Sequence, residues 1–160
     1  MISHDPSTGE ITDGHIRYLT MRADVLMGGA HEMPAGRAVE YLRALELSAF
    51  RHARDSFEEY RKSGRFQGEN FLVGATAVAA TLGWGGWAVT DLGSGNHRVT
   101  VRNSPFALGY GASPHPVCGP ICGVLKAMVL VGYERSVQVT EAACAAQGLG
   151  SQCVFDIVRT

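Results

Sequence analysis

The stretch EAACAAQGLGSQCVFDIV, from Glu141 to Val158, decides the fold and raises the first chemical question. A glycine-rich loop of small residues separates Cys144 from Cys153, and an apolar run with period-two alternation follows. This pattern predicts two antiparallel strands, SVQVTEA (136–142) and CVFDIV (153–158), joined by that loop. The hairpin brings Cys153 back beside Cys144, with Glu141 close by.

Two helices are predicted upstream of this hairpin. Apolar residues recur at three- and four-residue steps after Pro34, which predicts a long amphipathic helix that ends near Gly64. A second helix is predicted from about Glu69 to Leu82, and its alanine- and valine-rich sequence with almost no charge indicates burial on most sides. The segment HIRYLTMR (15–22) is compatible with either a strand or the start of a helix.

The hydrophobic period changes after the glycine-rich segment GWGG (83–86). WAVTDL (87–92) and HRVTVRN (97–103) alternate with period two around a GSGN turn, which predicts a β-hairpin. CGPICGVLKAMVLVGY (118–133) returns to a helical pattern with a proline near its start. Helices, a hairpin, a helix and a closing hairpin together predict an α+β fold in which an antiparallel β-sheet packs against helices.

Composition limits the classes of function. Lys plus Arg number 14 and Asp plus Glu number 15, so the net charge of −1 offers no basic face for nucleic acid. No apolar run approaches the ~18 residues that a membrane span requires, so none is expected. The N-terminus lacks a secretory signal, so we expect a cytoplasmic protein with reduced thiols.

The chain of 160 residues is the size of one domain with a substantial core. The first residues, MISHDPSTGE, are polar and rich in turn formers. We therefore predict a flexible N-terminus over residues 1–12 and a single domain over residues 13–160.

Four cysteines fall in the last part of the chain, and several roles are open to them: Cys118, Cys122, Cys144 and Cys153. Taken singly, a free cysteine is most often a small buried hydrophobe. A disulfide between Cys144 and Cys153 is disfavoured in a reducing compartment. A catalytic thiol would need a base, and only His115, three residues before Cys118, is near in sequence.

A metal site accounts for more of this pattern. Zinc takes four ligands, most often thiolates, with imidazole or carboxylate as the alternative. Glu141 and Cys144 lie three residues apart at a strand end, Cys153 begins the partner strand, and Cys118 precedes the helix. These four side chains would pin three elements at one point. Cys122, one helical turn after Cys118, is then either core or the lining of a cavity.

The order of these residues resembles the vinyl reductase (4-vinyl reductase) domain family. The resemblance lies in Cys118, Glu141, the following EAAC with Cys144, and Cys153 opening CVFDIV, within a frame that covers about 110–158. The family is similar to the sensor domains of phenol- and xylene-responsive activators and to trafficking subunits of a Golgi tethering complex. The resemblance implies that the Cys, Glu, Cys and Cys ligands hold Zn²⁺.

The resemblance also implies an apolar ligand pocket between the sheet and the helices. Bulky or polarizable side chains near the predicted strands and helices are the candidates for its lining, although each taken singly is more often core. These candidates are Trp84, Trp87, His97, Phe106, Tyr110, Cys122 and Met128.

Three functions remain in competition. The first is a zinc-containing protein that binds an apolar, aromatic or hydrocarbon-like molecule and forms a homodimer through the apolar faces of its first two helices. The second is a metal-dependent enzyme or helper protein acting on an aromatic or tetrapyrrole intermediate, with His115, His97 or Tyr110 in acid–base roles. The third is an interaction module, which would need no metal. No dinucleotide-binding fingerprint is present to support a reductase that works alone.

Overall fold

A computed structural model of the protein describes residues 2–66 and 70–160. It has five α-helices and seven β-strands within these residues. The helices are α1 (Ala23–Gly28), α2 (Ala38–Lys62), α3 (Asn70–Thr81), α4 (Pro105–Tyr110) and α5 (Gly119–Tyr133). The strands are β1 (Ser3–Asp5), β2 (Glu10–Asp13), β3 (Ile16–Tyr18), β4 (Gly86–Gly93), β5 (Asn96–Arg102), β6 (Val137–Ala143) and β7 (Gln152–Arg159).

The main sheet has the strand order β4-β5-β7-β6, and every neighbouring pair is antiparallel. The predicted α+β class and both predicted hairpins are therefore confirmed. The order shows in addition that β5 pairs with β7, which places the first hairpin beside the closing one. Alternate residues of β5 and β7 face the helices, and Val99, Val101, Phe155 and Ile157 are fully buried there.

Helix α5 is the centre of the core, buried along nearly its whole length between α2 and the sheet. Its side chains are apolar on all sides except at Lys126, which donates a hydrogen bond to the Glu46 carboxylate of α2. Gly119 and Gly123 lie one turn apart and face α2. A methyl group on Gly123 would overlap the backbone carbonyl oxygen of Glu46, so glycine permits the close approach of the two helices.

Two helix starts differ from the prediction. Helix α2 begins at Ala38, several residues after Pro34, because Gly36 has a φ of +81°, which no helical residue adopts. The start predicted at Glu69 lies outside the described residues, and α3 runs from Asn70 within them. Helix α4 was not predicted, although Ser104 at its N-cap and Pro105 at its first position are a standard helix start.

The N-terminal segment forms a second, three-stranded antiparallel sheet in the order β1-β2-β3. The segment 15–22 thus contains a strand, and the next helix begins only at Ala23. Strand pairing within residues 3–13 was not foreseen, because short polar strands lack the alternation that identifies a strand. The expected flexibility of residues 1–12 stays a prediction, and Met1 lies outside the described residues.

A buried carboxylate attaches this small sheet to α2. Asp13, at the end of β2, is 7% exposed and accepts hydrogen bonds from the Tyr60 hydroxyl at 3.0 Å and Arg65 Nη1 at 2.8 Å. The Arg65 guanidinium also lies over the Tyr60 ring at 4.5 Å. Burial alone would raise the pKa of Asp13, but the hydrogen bonds from Arg65 and Tyr60 outweigh it and lower the pKa to about 2.

We expect Asp13→Asn to lower the free energy of unfolding by about 2 kcal/mol at pH 7. The ionised Asp13 stabilises the folded chain above its ordinary pKa of 3.8, and this contribution is lost as pH falls toward about 2. The difference between wild type and variant, measured by urea unfolding, should therefore narrow below pH 4. Asp55→Asn, at an exposed position of α2, is the control and should change stability little. A difference that does not vary with pH would contradict this role of Asp13.

Candidate functional site

The ends of three elements converge at one buried point. Strand β6 is irregular between Glu141 and Ala143, where its pairing with β7 shifts, and Cys144 follows directly. A short 3₁₀-helix (Ala145–Gln147) and a glycine-rich turn return the chain to Cys153, the second residue of β7. Cys118 is the N-cap residue of α5, since the helix begins at the following glycine.

Four potential metal ligands meet there: one atom each from Cys118, Glu141, Cys144 and Cys153, all within 4.8 Å of one another and buried. The Cys118 sulfur lies 3.9 Å from the Cys144 sulfur and 3.6 Å from the Cys153 sulfur. The Glu141 Oε2 atom accepts a hydrogen bond from the Cys118 backbone N–H at 2.9 Å. The tertiary structure thus brings together residues from three separate elements.

The geometry and chemistry of the group fit a divalent metal. Sulfur ligands about 2.3 Å from a tetrahedral zinc ion would lie about 3.8 Å apart, close to the two sulfur–sulfur distances observed. The Glu141 Oε1 atom is buried and makes no hydrogen bond within the described part of the chain. An unpaired carboxylate oxygen among three sulfur atoms is costly unless a cation is bound. These four residues could therefore hold a metal ion.

The ionisation of the cluster points the same way. Burial, together with the neighbouring Cys144, raises the pKa of Glu141 to about 8. Hydrogen bonds to Cys144 and Cys153 raise the pKa of Cys118, whereas hydrogen bonds from Cys118 and Cys144 lower the pKa of Cys153 to about 4. Without a cation, the site therefore holds its negative charge on one sulfur, and a bound divalent cation would favour the ionised form of all four ligands.

A surrounding shell of hydrogen bonds orients the ligands. The Ser104 hydroxyl lies 3.3 Å from the Cys118 sulfur, and the Ala145 N–H donates to the Cys153 sulfur at 3.4 Å. The Gln147 side chain accepts from the Cys144 N–H and donates to the Pro114 carbonyl oxygen. Sequence reasoning missed Ser104 and Gln147, because only the folded chain places them beside the cysteines.

Cys122 is the cysteine that does not join the cluster. It lies one turn further along α5, is buried in the core and is free, as are the other three cysteines. Burial raises the pKa of its thiol to about 12, so it stays protonated at neutral pH. It lines none of the cavities described below, so the core interpretation suits it.

An apolar cavity of about 290 Å³ lies between β3, α2, α3 and α5. Helix α5 contributes Val124 and Met128, and α3 contributes alanines that leave room on its inner face. The lining residues are Ile16, Arg17, Tyr18, Ala49, His52, Ala53, Ser56, Phe57, Tyr60, Ala75, Val78, Ala79, Leu82, Trp84, Val124 and Met128. Most of these were not predicted, because an alanine that leaves a space has the same sequence pattern as one that packs.

The predicted lining residues separate into groups. Trp84 and Met128 line this cavity, and Phe106 packs edge-to-face against Trp84 with ring centroids 4.8 Å apart. The Trp87 indole donates to the Trp84 carbonyl oxygen at 3.1 Å. Tyr110 stacks on His31 at the end of α4, away from the cavity. His97 belongs to a different cavity at the far end of the sheet.

Comparison with known proteins agrees with this architecture. The family model of the vinyl reductase domain matches residues 97–159, which include all four clustered ligands. No curated protein shows a significant sequence match to the chain. Among residues 2–66 and 70–160, none of the helices combines the length and apolarity needed to cross a bilayer.

Several solved structures share the fold at low sequence identity. The phenol-responsive sensory domain of the transcription activator PoxR, solved with phenol, has a TM-score of 0.79 and 14% identity, covering 98% of this chain and 84% of its own. A vinyl-4-reductase family protein from Methanocaldococcus jannaschii has a TM-score of 0.51 and 16% identity, covering 86% and 90%. Trafficking protein particle complex subunit 3 from Naegleria fowleri, covalently bound to palmitic acid, has a TM-score of 0.58 and 13% identity, covering 86% and 95%.

The protein thus has a mixed helix and antiparallel-sheet fold of the vinyl reductase type, with a buried Cys and Glu cluster at the junction of β6, β7 and α5. The predicted resemblance is confirmed: residues 97–159 are a vinyl reductase domain.

Proposed function

We propose that the protein binds an apolar, aromatic or hydrocarbon-like molecule in the cavity between β3, α2, α3 and α5, and that zinc fastens the adjoining hairpin. The observation that carries this proposal is the cavity itself, which is lined almost wholly by carbon and has a volume of about 290 Å³. A space of this kind would be filled by side chains if packing alone had shaped the core.

The related folds support a small-molecule function. The PoxR sensory domain was solved with phenol, and the trafficking subunit carries palmitic acid. Both are molecules with large apolar surfaces. The lining of the present cavity offers aromatic rings from Phe57, Tyr60 and Trp84 and a polar edge near His52 and Ser56, which suits an aromatic ring with few polar groups.

The zinc ion would be held by Cys118, Glu141, Cys144 and Cys153. When bound, it would serve as a structural crosslink, because thiolate-rich sites with four protein ligands leave no open position. Its ligands would join the β6–β7 hairpin to the start of α5. Thiolate donors favour zinc over harder cations such as magnesium.

A chain of contacts connects this centre with the cavity. Ser104 lies beside the Cys118 sulfur and caps α4 by accepting a hydrogen bond from the Ala107 N–H. Helix α4 carries Phe106, whose ring packs against Trp84 in the cavity wall. A rigid metal centre would therefore help keep the cavity wall in place.

The setting of the protein follows from its surface and its thiols. The net charge of −1 disfavours nucleic acid as a partner, and four free cysteines suit the reducing cytoplasm. Exposed apolar side chains remain on the first two predicted helices: Val39 (63% exposed), Leu47 (49%) and Val73 (59%). We propose that these residues contribute to a homodimer interface.

Elemental analysis should find about one zinc ion per chain in the purified protein. Cys153→Ser should lower the zinc content strongly, because it removes one of the three thiolates. Chelation should lower the free energy of unfolding by about 4 kcal/mol when free zinc had been a thousandfold above Kd. Cys122→Ser is the matched control, because this cysteine is buried outside the cluster. Zinc content that is equal in both variants would refute the assignment of ligands.

The cavity should bind p-xylene, measured by ligand-observed NMR. Ala79→Phe places a ring in the cavity and should weaken binding about tenfold or more while retaining the folded structure. Ala80→Phe, at the exposed neighbouring position of α3, is the control and should leave binding unchanged. Val78→Phe offers a second substitution at the cavity wall if Ala79→Phe does not fold. Binding that neither cavity variant weakens would contradict the proposed site.

The double variant Val39→Asp with Leu47→Asp should shift the protein from dimer to monomer in light scattering after size-exclusion chromatography, because charged groups would be buried at the interface. Val25→Asp, at a position 60% exposed on α1, should leave the dimer intact. A monomeric wild-type protein would remove this part of the proposal.

A further inference from the structure

A second cavity, of about 510 Å³, lies at the end of the sheet opposite the metal centre. All four strands of the main sheet contribute to it, together with α3 and the C-terminal end of α5. It shares no lining residue with the apolar cavity of the proposed function. Leu72, Val129 and Val137 form an apolar part of its lining.

One buried polar atom in this cavity has no partner. His97 is on the helix-facing side of β5, in the same alternation as the buried Val99 and Val101, and its side chain is 16% exposed. Its Nδ1 atom is buried and makes no hydrogen bond within the described part of the chain. The nearest carboxylate oxygen, on Asp91, is 3.9 Å away and instead accepts the Gly93 N–H. A buried ring nitrogen in this state favours a ligand that completes its hydrogen bonding.

The charges around the cavity favour an anion. Arg135 and Arg159 line it, and in the part of the chain that the structure describes neither guanidinium has a carboxylate within ion-pair distance. Arg159 follows the alternation of β7, so it lies on the same face of the sheet as the buried Ile157. Asp91 is the only acidic residue in the described lining, so the two arginines leave an excess of positive charge.

We propose that this cavity is a second binding site, which takes a small amphipathic carboxylate. The apolar body of the ligand contacts Leu72, Val129 and Val137. The carboxylate meets the guanidinium groups of Arg135 and Arg159, which can bind it with paired hydrogen bonds. His97, stacked on Tyr133 with ring centroids 6.1 Å apart, supplies a further hydrogen bond.

The test compares 4-butylbenzoate with the neutral 4-butylbenzyl alcohol by isothermal titration calorimetry on the full chain. We expect the acid to bind about tenfold or more tightly than the alcohol, because charge-assisted hydrogen bonds are made only to the acid. The double variant Arg135→Gln with Arg159→Gln should remove this preference and leave the affinity for the alcohol unchanged. His97→Phe should weaken binding of the acid by a smaller factor.

Arg102→Gln is the matched control, because Arg102 is an exposed arginine on the same strand as His97 and lies outside the cavity. Ala79→Phe, which fills the first cavity, should leave binding of the acid intact, so failure of the proposed function and failure of this proposal are distinguishable. Amide shifts in NMR spectra should appear near Val129 and Val137. Equal affinity for acid and alcohol, no saturable binding of the acid, or loss of acid binding in Ala79→Phe would each overturn the proposal.

Discussion

The burial of α5 between α2 and the antiparallel sheet is the constraint on which the other features depend. The helix can occupy this place because its side chains are apolar on almost every side and because Gly119 and Gly123 let α2 approach its backbone. Lys126 is the polar exception, and its pairing with Glu46 keeps its charge from being buried alone. A helix held this firmly can position groups precisely at both of its ends.

Each functional feature is attached to a different part of α5. Cys118 precedes its first turn and belongs to the ligand cluster. Val124 and Met128, one turn apart, face the apolar cavity, whereas Val129 and Tyr133 face the second cavity on an adjacent side of the helix. One helix therefore separates two cavities of different character, one nearly all carbon and one bordered by arginines. This arrangement gives a physical reason why the two sites can be tested independently.

Much of the fold was predictable because its elements follow clear periods. The alternation in β4, β5 and β7 and the helical spacing in α2 were enough to locate these elements, and the resemblance of residues 110–158 to the vinyl reductase family was confirmed. Helix boundaries were less accurate, since the left-handed Gly36 delays α2. The three short N-terminal strands were missed, because their polar residues carry no period and their stability comes from contacts such as Asp13 with Tyr60 and Arg65.

The sequence by itself determined which residue types are available: three cysteines and a glutamate in the right order, and a helix apolar enough to be buried. Only the tertiary structure decided that Cys118 meets a hairpin far along the chain, because that contact depends on the pairing of β5 with β7 and on the packing of α5. It also decided where space remains. A cavity is the absence of side chains in a volume bounded by several elements, so no single segment of sequence records it.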